Sequence, residues 1–344
     1  MMRMLCLPGD GIGPEITSAA RAVVDASGAA VAWSEAAIGF AALDAVGTTI
    51  PDDIIAAARA ADGILLGPVS HNLYPPVAAG GKNPSGTLRK ALELFANIRP
   101  ARSYDGVPTP TGATADMVIF RENLEGFYAD RNMVSGGSEM MVSPGIAIAI
   151  RKITEQGSTR IARAAFDAAA SRRRKVVAVH KANVMRTTCG LFLDACRAVA
   201  KTCPDIEYSE MLVDAAAAHM VRDPAQFDVI VTTNMFGDIL SDLAAELSGG
   251  LGLAGSLNLG AAHAVAQAQH GSAPDIAGRN IANPTSMILS ASMLLAHLGI
   301  REPAARIDRA LARCLARPST RTRDLGGALG TRAFAKTVIA EMQP

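Results

Sequence analysis

The segment Asn234-Met-Phe-Gly-Asp238-Ile-Leu-Ser-Asp242 sets two carboxylates four positions apart in an apolar stretch. On a helix such a pair stacks on one face, one turn above the other. Two carboxylates held that close repel unless a cation or a basic group sits between them. Hard oxygen donors of this kind suit Mg²⁺ or Mn²⁺ rather than zinc. Arg89, Arg99 and Arg121 stand in weakly charged surroundings. Their planar forks can pair bidentately with carboxylates, so together they suggest a polycarboxylate clamp. Lys181 follows the apolar run Val176-Val-Ala-Val179. Desolvation at such a strand end can bring a lysine pKa into the range of a working base. Each feature alone has an ordinary reading, a solvated helix face or a surface arginine. Their combination points to acid–base chemistry on a polyanion beside a divalent cation.

The elements that would position these groups alternate short apolar runs with amphipathic helices. Met4–Leu7 reads as a buried strand, followed by the tight turn Pro8-Gly-Asp-Gly-Ile-Gly13 and a helix that Pro14 opens and Gly28 ends. A helix is expected over Asp52–Ala61, and strands over Asp62–Gly67, Met117–Phe120, Val176–Val179 and Phe227–Thr232. This order indicates an α/β fold with a largely parallel sheet. Gly9, Gly11 and Gly13 form G-x-G-x-G, which is not the dinucleotide fingerprint, and Ala32-Trp33-Ser34 stands where an acidic residue would be needed. A Rossmann fold is therefore not expected. The glycine-rich Gly249–Gly260 is too apolar for a disordered tether and reads as a turn-laden crossing between lobes.

Bulk properties narrow the partners. A chain of 344 residues that is 49% hydrophobic can bury one large core or two coupled ones. A net charge of +1 gives no electrostatic reason to expect nucleic acid or an anionic membrane. The basic run Arg172–Lys175 reads as a solvated helix end. Five cysteines without C-x-x-C spacing fit a reduced, cytoplasmic setting, and Cys189, Cys196 and Cys203 recur every seven residues as on one helix face. The N-terminus lacks the apolar length of a signal peptide, and Ser286–Ile300 reads as a buried helix too short to span a bilayer.

Several ordered motifs together resemble the β-decarboxylating dehydrogenases, the isocitrate and isopropylmalate dehydrogenase family. They are Gly9-Asp-Gly-Ile-Gly-Pro-Glu15, Leu88-Arg89, Ala96-Asn-Ile-Arg99-Pro100, Arg121-Glu-Asn-Leu-Glu-Gly-Phe-Tyr128, His180-Lys-Ala-Asn183, the Asn234–Asp242 segment, and His270-Gly-Ser-Ala-Pro-Asp-Ile-Ala-Gly278 through Ala282-Asn283-Pro284. The resemblance implies that family's fold, two interleaved α/β lobes, here 1–97 with 249–344 and 98–248. It also implies a dimer clasp near Asp130–Ser143 and an obligate dimer, with Lys181 and Asp214 entering the neighbouring subunit's site. By the same resemblance Arg89, Arg99 and Arg121 grip substrate carboxylates, while Asp214, Asp238 and Asp242 bind Mg²⁺ or Mn²⁺. Tyr128 and Lys181 match the acid–base residues, and Asn183 would lie near the nicotinamide.

The chemistry implied is oxidation of a 2-hydroxy acid followed by loss of its β-carboxylate. Lys181 would take the hydroxyl proton and Tyr128 would protonate the enol at C3. Gly271, Ser272, Ala273, Asp275 and Ile276 fall in the cofactor segment. Asp275-Ile276 resembles the NAD-using members, since a carboxylate there accepts from ribose hydroxyls and repels a 2′-phosphate. His270 would sit against the adenine, and Asn283 would hydrogen-bond its edge. Gln267 departs from the family, which usually carries a glutamate there.

The stretch Asn83-Pro-Ser85-Gly-Thr87 would face the substituent on C3. It is polar, and Ser85 stands where isocitrate enzymes place a small hydrogen-bonding residue. An unpaired hydroxyl against an isopropyl group would cost about 1–3 kcal/mol. Isocitrate is therefore the leading substrate, ahead of 3-isopropylmalate, homoisocitrate or another alkylmalate. Ser70-His-Asn-Leu-Tyr74 is unusual for a plain isocitrate enzyme, and Tyr74 or His71 is a candidate to enter the site. The rival class is a non-catalytic regulatory subunit of a hetero-oligomeric isocitrate enzyme. It is disfavoured because every acid–base and metal position is filled.

Overall fold

A computed structural model describes residues 1–128 and 137–343. They fall into two compact units, one made of 1–92, 104–108 and 249–343, the other of 93–103 and the described part of 109–248. The first unit contains β1 (Met2–Leu7), α1 (Gly13–Ala26), β2 (Val31–Glu35), α2 (Phe40–Val46), α3 (Asp52–Ala60), β3 (Gly63–Leu66) and α4 (Pro84–Ala91). The second contains β4 (Ala96–Arg102), β5 (Asp116–Glu122), β6 (Glu139–Ser143), β7 (Ile146–Ala149), α5 (Glu155–Ala170), β8 (Lys175–His180), α6 (Arg186–Lys201), β9 (Glu207–Leu212), α7 (Val213–Arg222), β10 (Val229–Thr232) and α8 (Asn234–Ser248). The chain then completes the first unit with β11 (Leu257–Leu259), β12 (Ala264–Gln267), α9 (Thr285–His297), α10 (Arg301–Ala316) and α11 (Thr331–Glu341).

The strands of the first unit run in the order β2-β1-β3-β12-β11, all parallel neighbours except β11 against β12. Helices α1, α9, α10 and α11 cover them, and their apolar residues form one core around Ile16, Val23, Met287, Leu294, Ile307, Leu311 and Phe334. Helix α9 is buried nearly all round, as apolar residues spread around its whole circumference require, with Thr285, Ser286, Ser290 and Ser292 buried among them. No helix among the described residues is long and apolar enough to cross a membrane.

In the second unit the order is β4-β5-β10-β8-β9, with only β4 antiparallel to its neighbour. Ala101, Met117, Ile119, Val177, Val179 and Ile230 share one buried cluster with Ala216 and Met220 of α7 and Leu240, Ala244 and Leu247 of α8. Side chains alternate across a strand. Arg99 therefore continues the face of Ala101, Arg121 that of Met117 and Ile119, and Lys181 that of Val177 and Val179. The charged residues sit where an apolar inward face runs out.

Some expectations are corrected. Residues 249–260 are not merely a crossing, because the apolar stretch around buried Leu257 forms β11 and pairs with β12. Cys189 and Cys196 are buried on α6, but Cys203 lies beyond its end. Arg172 of the basic run is tied down by Asp116 and Asp228, each at 2.8 Å. Of the clasp segment, residues 130–136 lie outside the described residues, and Glu139–Ser143 is β6, paired with β7 in an exposed two-stranded ribbon.

Candidate active site

Asp238 and Asp242 do share a face of α8, and that face points at Arg99. The Arg99 Nη1 lies 3.2 Å from Asp238 Oδ1, 3.4 Å from Asp242 Oδ1 and 2.7 Å from Ser241 Oγ. Arg121 also donates to Asp238 through Nη1, and its Nε and Nη2 donate to Asn234 Oδ1 at 3.1 and 2.7 Å. Tyr128 Oη donates to Asp238 Oδ2 at 3.3 Å, and its ring centroid is 5.6 Å from the Arg121 guanidinium carbon. Both guanidiniums are buried, with side-chain exposures of 9% for Arg99 and 2% for Arg121, against 35% for Asp238. Burial, and then the charge of Arg121, lower the Arg99 pKa to about 10.

The spacing of the motif now has a physical reason. Asn234 at the start of α8 accepts the Arg121 fork, and Asp238 and Asp242 follow at one-turn intervals. Gly237 lets the helix lie directly on Arg121, since a Cβ there would stand 2.6 Å from Arg121 Cβ and Cγ. Asn234 and Ser241 were not assigned roles from sequence. Ser241 lies three residues after Asp238, so helical spacing could have placed it on the same face.

Lys181 and Asp214 form a second pair, at 2.5 Å. Lys181 is therefore not simply desolvated, because its ammonium is partly open and matched by an exposed carboxylate. The Lys181 bond draws the Asp214 pKa below the usual carboxylate value. Among the described residues no three His, Cys, Asp or Glu side chains gather as a metal site, so within one chain Asp214 does not join Asp238 and Asp242. Those two aspartates nonetheless fit a divalent cation. They supply hard oxygen donors on one helix face, and both are partly open to solvent.

The remaining substrate and cofactor candidates Ser85, Arg89, His270 to Ile276 and Asn283 lie in the first unit, while Asn183 is exposed in the turn after β8 in the second. Ser85 is buried in α4, which Asn83 caps, and its hydroxyl donates to Gln267 Oε1 at 3.0 Å. Arg89 lies one turn further along α4. The glycine turn supports the cofactor segment. Gly11 has φ +57°, a Cβ on it would meet the Ser272 carbonyl at 2.0 Å, and Ile12 N donates to that carbonyl. Asp10 braces the same turn by accepting from Phe40 N and Ser70 N, each at 2.8 Å, and from the Tyr74 hydroxyl. Tyr74 is thus an anchor, packed edge-on against Phe40, rather than a residue entering the site, and His71 is exposed.

A dinucleotide fits this segment on two counts. The His270 Nδ1 is 2.9 Å from its neighbour's carbonyl, and Nε2 is closed off without a protein partner among the described residues. Burial lowers the His270 pKa, which favours the neutral ring. Gly271, Asp275 and Ile276 follow around a short turn, and the Asp275 carboxylate is exposed. Asn283 donates to Asp324 at 2.9 Å and accepts from Thr285 N at 3.0 Å, so its amide is oriented before any ligand arrives.

An α/β chain of two units, with an arginine-held aspartate pair on one helix and a separate lysine–aspartate pair, has the charged groups that acid–base chemistry on a carboxylate substrate would need. Comparison with known proteins supplies the family. The family model for isocitrate/isopropylmalate dehydrogenase matches residues 3–340. A 3-isopropylmalate dehydrogenase of Archaeoglobus fulgidus is 43% identical over 99% of both chains. The mitochondrial NAD isocitrate dehydrogenase subunit alpha of Homo sapiens is 43% identical over 98% of this chain and 89% of its own. The crystal structure of isocitrate dehydrogenase from Methylococcus capsulatus superposes with a TM-score of 0.91 at 42% identity, covering both chains fully. The chain belongs to the isocitrate/isopropylmalate dehydrogenase family. Members of that family are dehydrogenases that decarboxylate their substrates.

Proposed function

We propose that this protein is an NAD- and divalent-metal-dependent dehydrogenase that oxidatively decarboxylates a 3-substituted malate, with isocitrate as the substrate and 2-oxoglutarate and CO₂ as products. The observation that carries this reading is the cluster of Arg99, Arg121, Asp238 and Asp242, two buried cations cross-linked to two carboxylates. Arg99 and Arg121, with Arg89 from α4, would exchange these partners for substrate carboxylates, leaving Asp238 and Asp242, with Asp214, to hold Mg²⁺ or Mn²⁺. Bound there, the cation would supply positive charge to the substrate hydroxyl and to the charge that develops as CO₂ leaves. The nicotinamide would supply the hydride acceptor.

Once its ammonium has released a proton to solvent, the neutral Lys181 amine takes the proton of the C2 hydroxyl, with the Asp214 carboxylate beside it balancing the charge that the amine gains. Tyr128, hydrogen-bonded to Asp238 and lying over Arg121, delivers a proton to C3. Asp275 supports NAD, as an exposed carboxylate suits ribose hydroxyls and repels a 2′-phosphate. His270, Gly271, Ser272, Ala273, Ile276 and Asn283 complete the dinucleotide surface, and Asn183 approaches the nicotinamide.

For the substituent on C3, the Ser85–Gln267 contact favours a polar arm. The Ser85 hydroxyl already has its partner in Gln267, but a carboxylate arm could accept from the Gln267 amide nitrogen, as an isopropyl group could not. An isopropylmalate-type reaction is the second reading, favoured by the 43% identity to the archaeal relative of that name. A homodimer with shared sites is supported by the exposed Met140, Met141, Val142, Ile146 and Ile148 of the β6–β7 ribbon and by Ile239 on α8. It is also supported by the separation of Asp214 from Asp238 within one chain. The five free thiols accord with a reducing compartment such as the cytoplasm. The test is a panel of isocitrate, homoisocitrate and 3-isopropylmalate, each with NAD or NADP and with or without Mn²⁺, followed by absorbance of the reduced nicotinamide. Isocitrate with NAD and Mn²⁺ should give the highest kcat/KM; no metal-dependent turnover with any of them would overturn the reading.

A further inference from the structure

The Lys181 base and the Asp238–Asp242 pair stand on different segments, and one side chain outside both motifs touches the start of each. Arg151 donates through Nη1 to Thr188 Oγ1, in the first turn of α6, and through Nη2 to Thr233 Oγ1 at 3.2 Å. Thr233 immediately precedes α8, and its carbonyl accepts from Gly237 N at 2.9 Å, in the turn that leads into Asp238. The Arg151 guanidinium carbon also lies 5.8 Å from the centroid of Phe236, two residues before Asp238. Both hydroxyl partners are neutral, and among the described residues no carboxylate forms an ion pair with Arg151. A guanidinium used on two hydroxyls and a ring face offers a rigid fork rather than charge neutralisation.

Its backbone is fixed as well. The next residue, Lys152, exchanges both backbone hydrogen bonds with Gly126, at 2.7 and 3.0 Å, two positions before Tyr128. On the other side, Lys181 is continuous with α6. Its carbonyl accepts from Val184 N and Met185 N, and its own N–H donates to the Cys189 sulfur at 3.4 Å, one residue beyond Thr188. Moving Thr188 therefore moves the turn that carries Lys181. Three segments, bearing Tyr128, Lys181 and Asp238, meet at Arg151.

We propose that Arg151 is a positioning residue that locks the first turn of α6 to the start of α8, and so sets the alignment of Lys181 and the Asp238–Asp242 pair that the reaction requires. The proposal rests on the catalytic roles given above to those residues, and its test separates the two. Arg151→Met keeps the length of the side chain and removes the fork. Arg151→Lys keeps the charge but reaches only one hydroxyl at a time.

Hydrogen exchange on the metal-free protein reads the lock without reference to any substrate. Arg151→Met should lose protection at both 182–190 and 233–238, while α5 and the β8 strand keep theirs. Loss at only one segment, or at neither, overturns the proposal even if the enzyme assignment stands. In kinetics, Arg151→Met should lower kcat on the order of 10- to 100-fold with KM for the polyacid little changed, because the arginine clamp is untouched. Arg151→Lys should recover part of that loss. Thr233→Val should cost little once Arg151 is already Met, since the two act as one unit. A wild-type kcat in Arg151→Met, or additive losses in the double variant, would also refute it. Should Arg151→Met fail to fold, Thr188→Val and Thr233→Val separately carry the same exchange and kinetic tests.

Discussion

Gly237→Ala isolates the closest approach in the candidate site. The new Cβ would lie 2.6 Å from Arg121 Cβ and Cγ and 3.1 Å from its Cα. Carbon atoms pack comfortably at about 3.5–4.0 Å, so something must move by about 1 Å. Arg121 cannot withdraw easily. Its strand is paired on both sides, with Arg121 opposite Asn97 and Thr232, and its guanidinium is held by Asn234 and Asp238. The first turn of α8 must lift instead, and Asp238 follows directly on it. Overpacking of this kind costs about 1–3 kcal/mol, while Gly to Ala in a helix interior gains about 1 kcal/mol. The net loss is then roughly 0–2 kcal/mol.

Gly190 in α6 supplies the control, because a Cβ there meets nothing within 4 Å. Gly190→Ala should stabilise by about 1 kcal/mol. The propensity gain is common to both variants, so the difference between their urea midpoints, at equal m, reports the clash alone at about 1–3 kcal/mol. Displacing Asp238 relative to Arg121 by about 1 Å should lower kcat/KM on the order of 100-fold in Gly237→Ala. Equal midpoints for the two variants, with normal turnover in Gly237→Ala, would refute the close-packing account.

Asp238→Asn should abolish the rise in thermal midpoint that Mn²⁺ gives the wild type, where saturation at about 100 times Kd is worth about 2.7 kcal/mol; an undiminished rise would place the metal elsewhere. Lys181→Met and Asp238→Asn should each be inactive alone, and random reassociation of the two should restore about a quarter of wild-type activity, since half the dimers are mixed and each of these has one intact shared site. No recovery from a verified mixed dimer would exclude shared sites. Burial raises the Glu122 pKa to about 7 from its ordinary 4.5, although Leu124 N and Glu125 N donate to it at 3.0 and 2.7 Å. The folded state therefore binds more protons than the unfolded one between those values, and stability should fall as pH rises through that window, by about 3 kcal/mol in all. Glu122→Gln should flatten this slope in denaturation midpoints measured across it, and an unchanged slope would assign it to other groups. Asp275→Lys with Ile276→Tyr should move cofactor preference from NAD toward NADP without altering the metal requirement, as the ratio of kcat/KM for the two cofactors will show.

The family was legible in the sequence because its motifs combine fixed spacing with residue types that few structures need together. Asp238 and Asp242 were placed on one face from helical period alone, and they share Arg99 Nη1. The strands at Met117–Phe120 and Val176–Val179 were visible as continuous apolar runs, as strands covered on both faces are. What escaped depended on partners far apart in the chain. Nothing local marks Tyr74 as bound to Asp10, because 64 residues separate them. Arg151 looks like a surface arginine until Thr188 and Thr233 come to it through separate strands and helices. The strand in 257–259 was hidden by its glycine-rich surroundings, and its pairing with β12 supplies what local propensity lacks.

The cluster on α8 explains how one site could take a cation and a polyanion together. Arg99 and Arg121 carry two positive charges, Asp238 and Asp242 two negative ones, so the group is neutral as it stands. Buried guanidiniums need such partners, and burial, with the charge of Arg121 adding to it, lowers the Arg99 pKa to about 10. The three carboxylates of isocitrate arriving with a divalent cation would add only one net negative charge, with each arginine passing from an aspartate to a substrate carboxylate and each aspartate from an arginine to the metal. A polyanion alone would add three negative charges, and a cation alone would leave the arginines unmatched. On this reading metal and polyacid favour one another because the protein offers each the other's counter-charge, and by linkage the effect must be reciprocal. The spacing of Asn234, Gly237, Asp238, Ser241 and Asp242 is what lets a single helix carry the exchange.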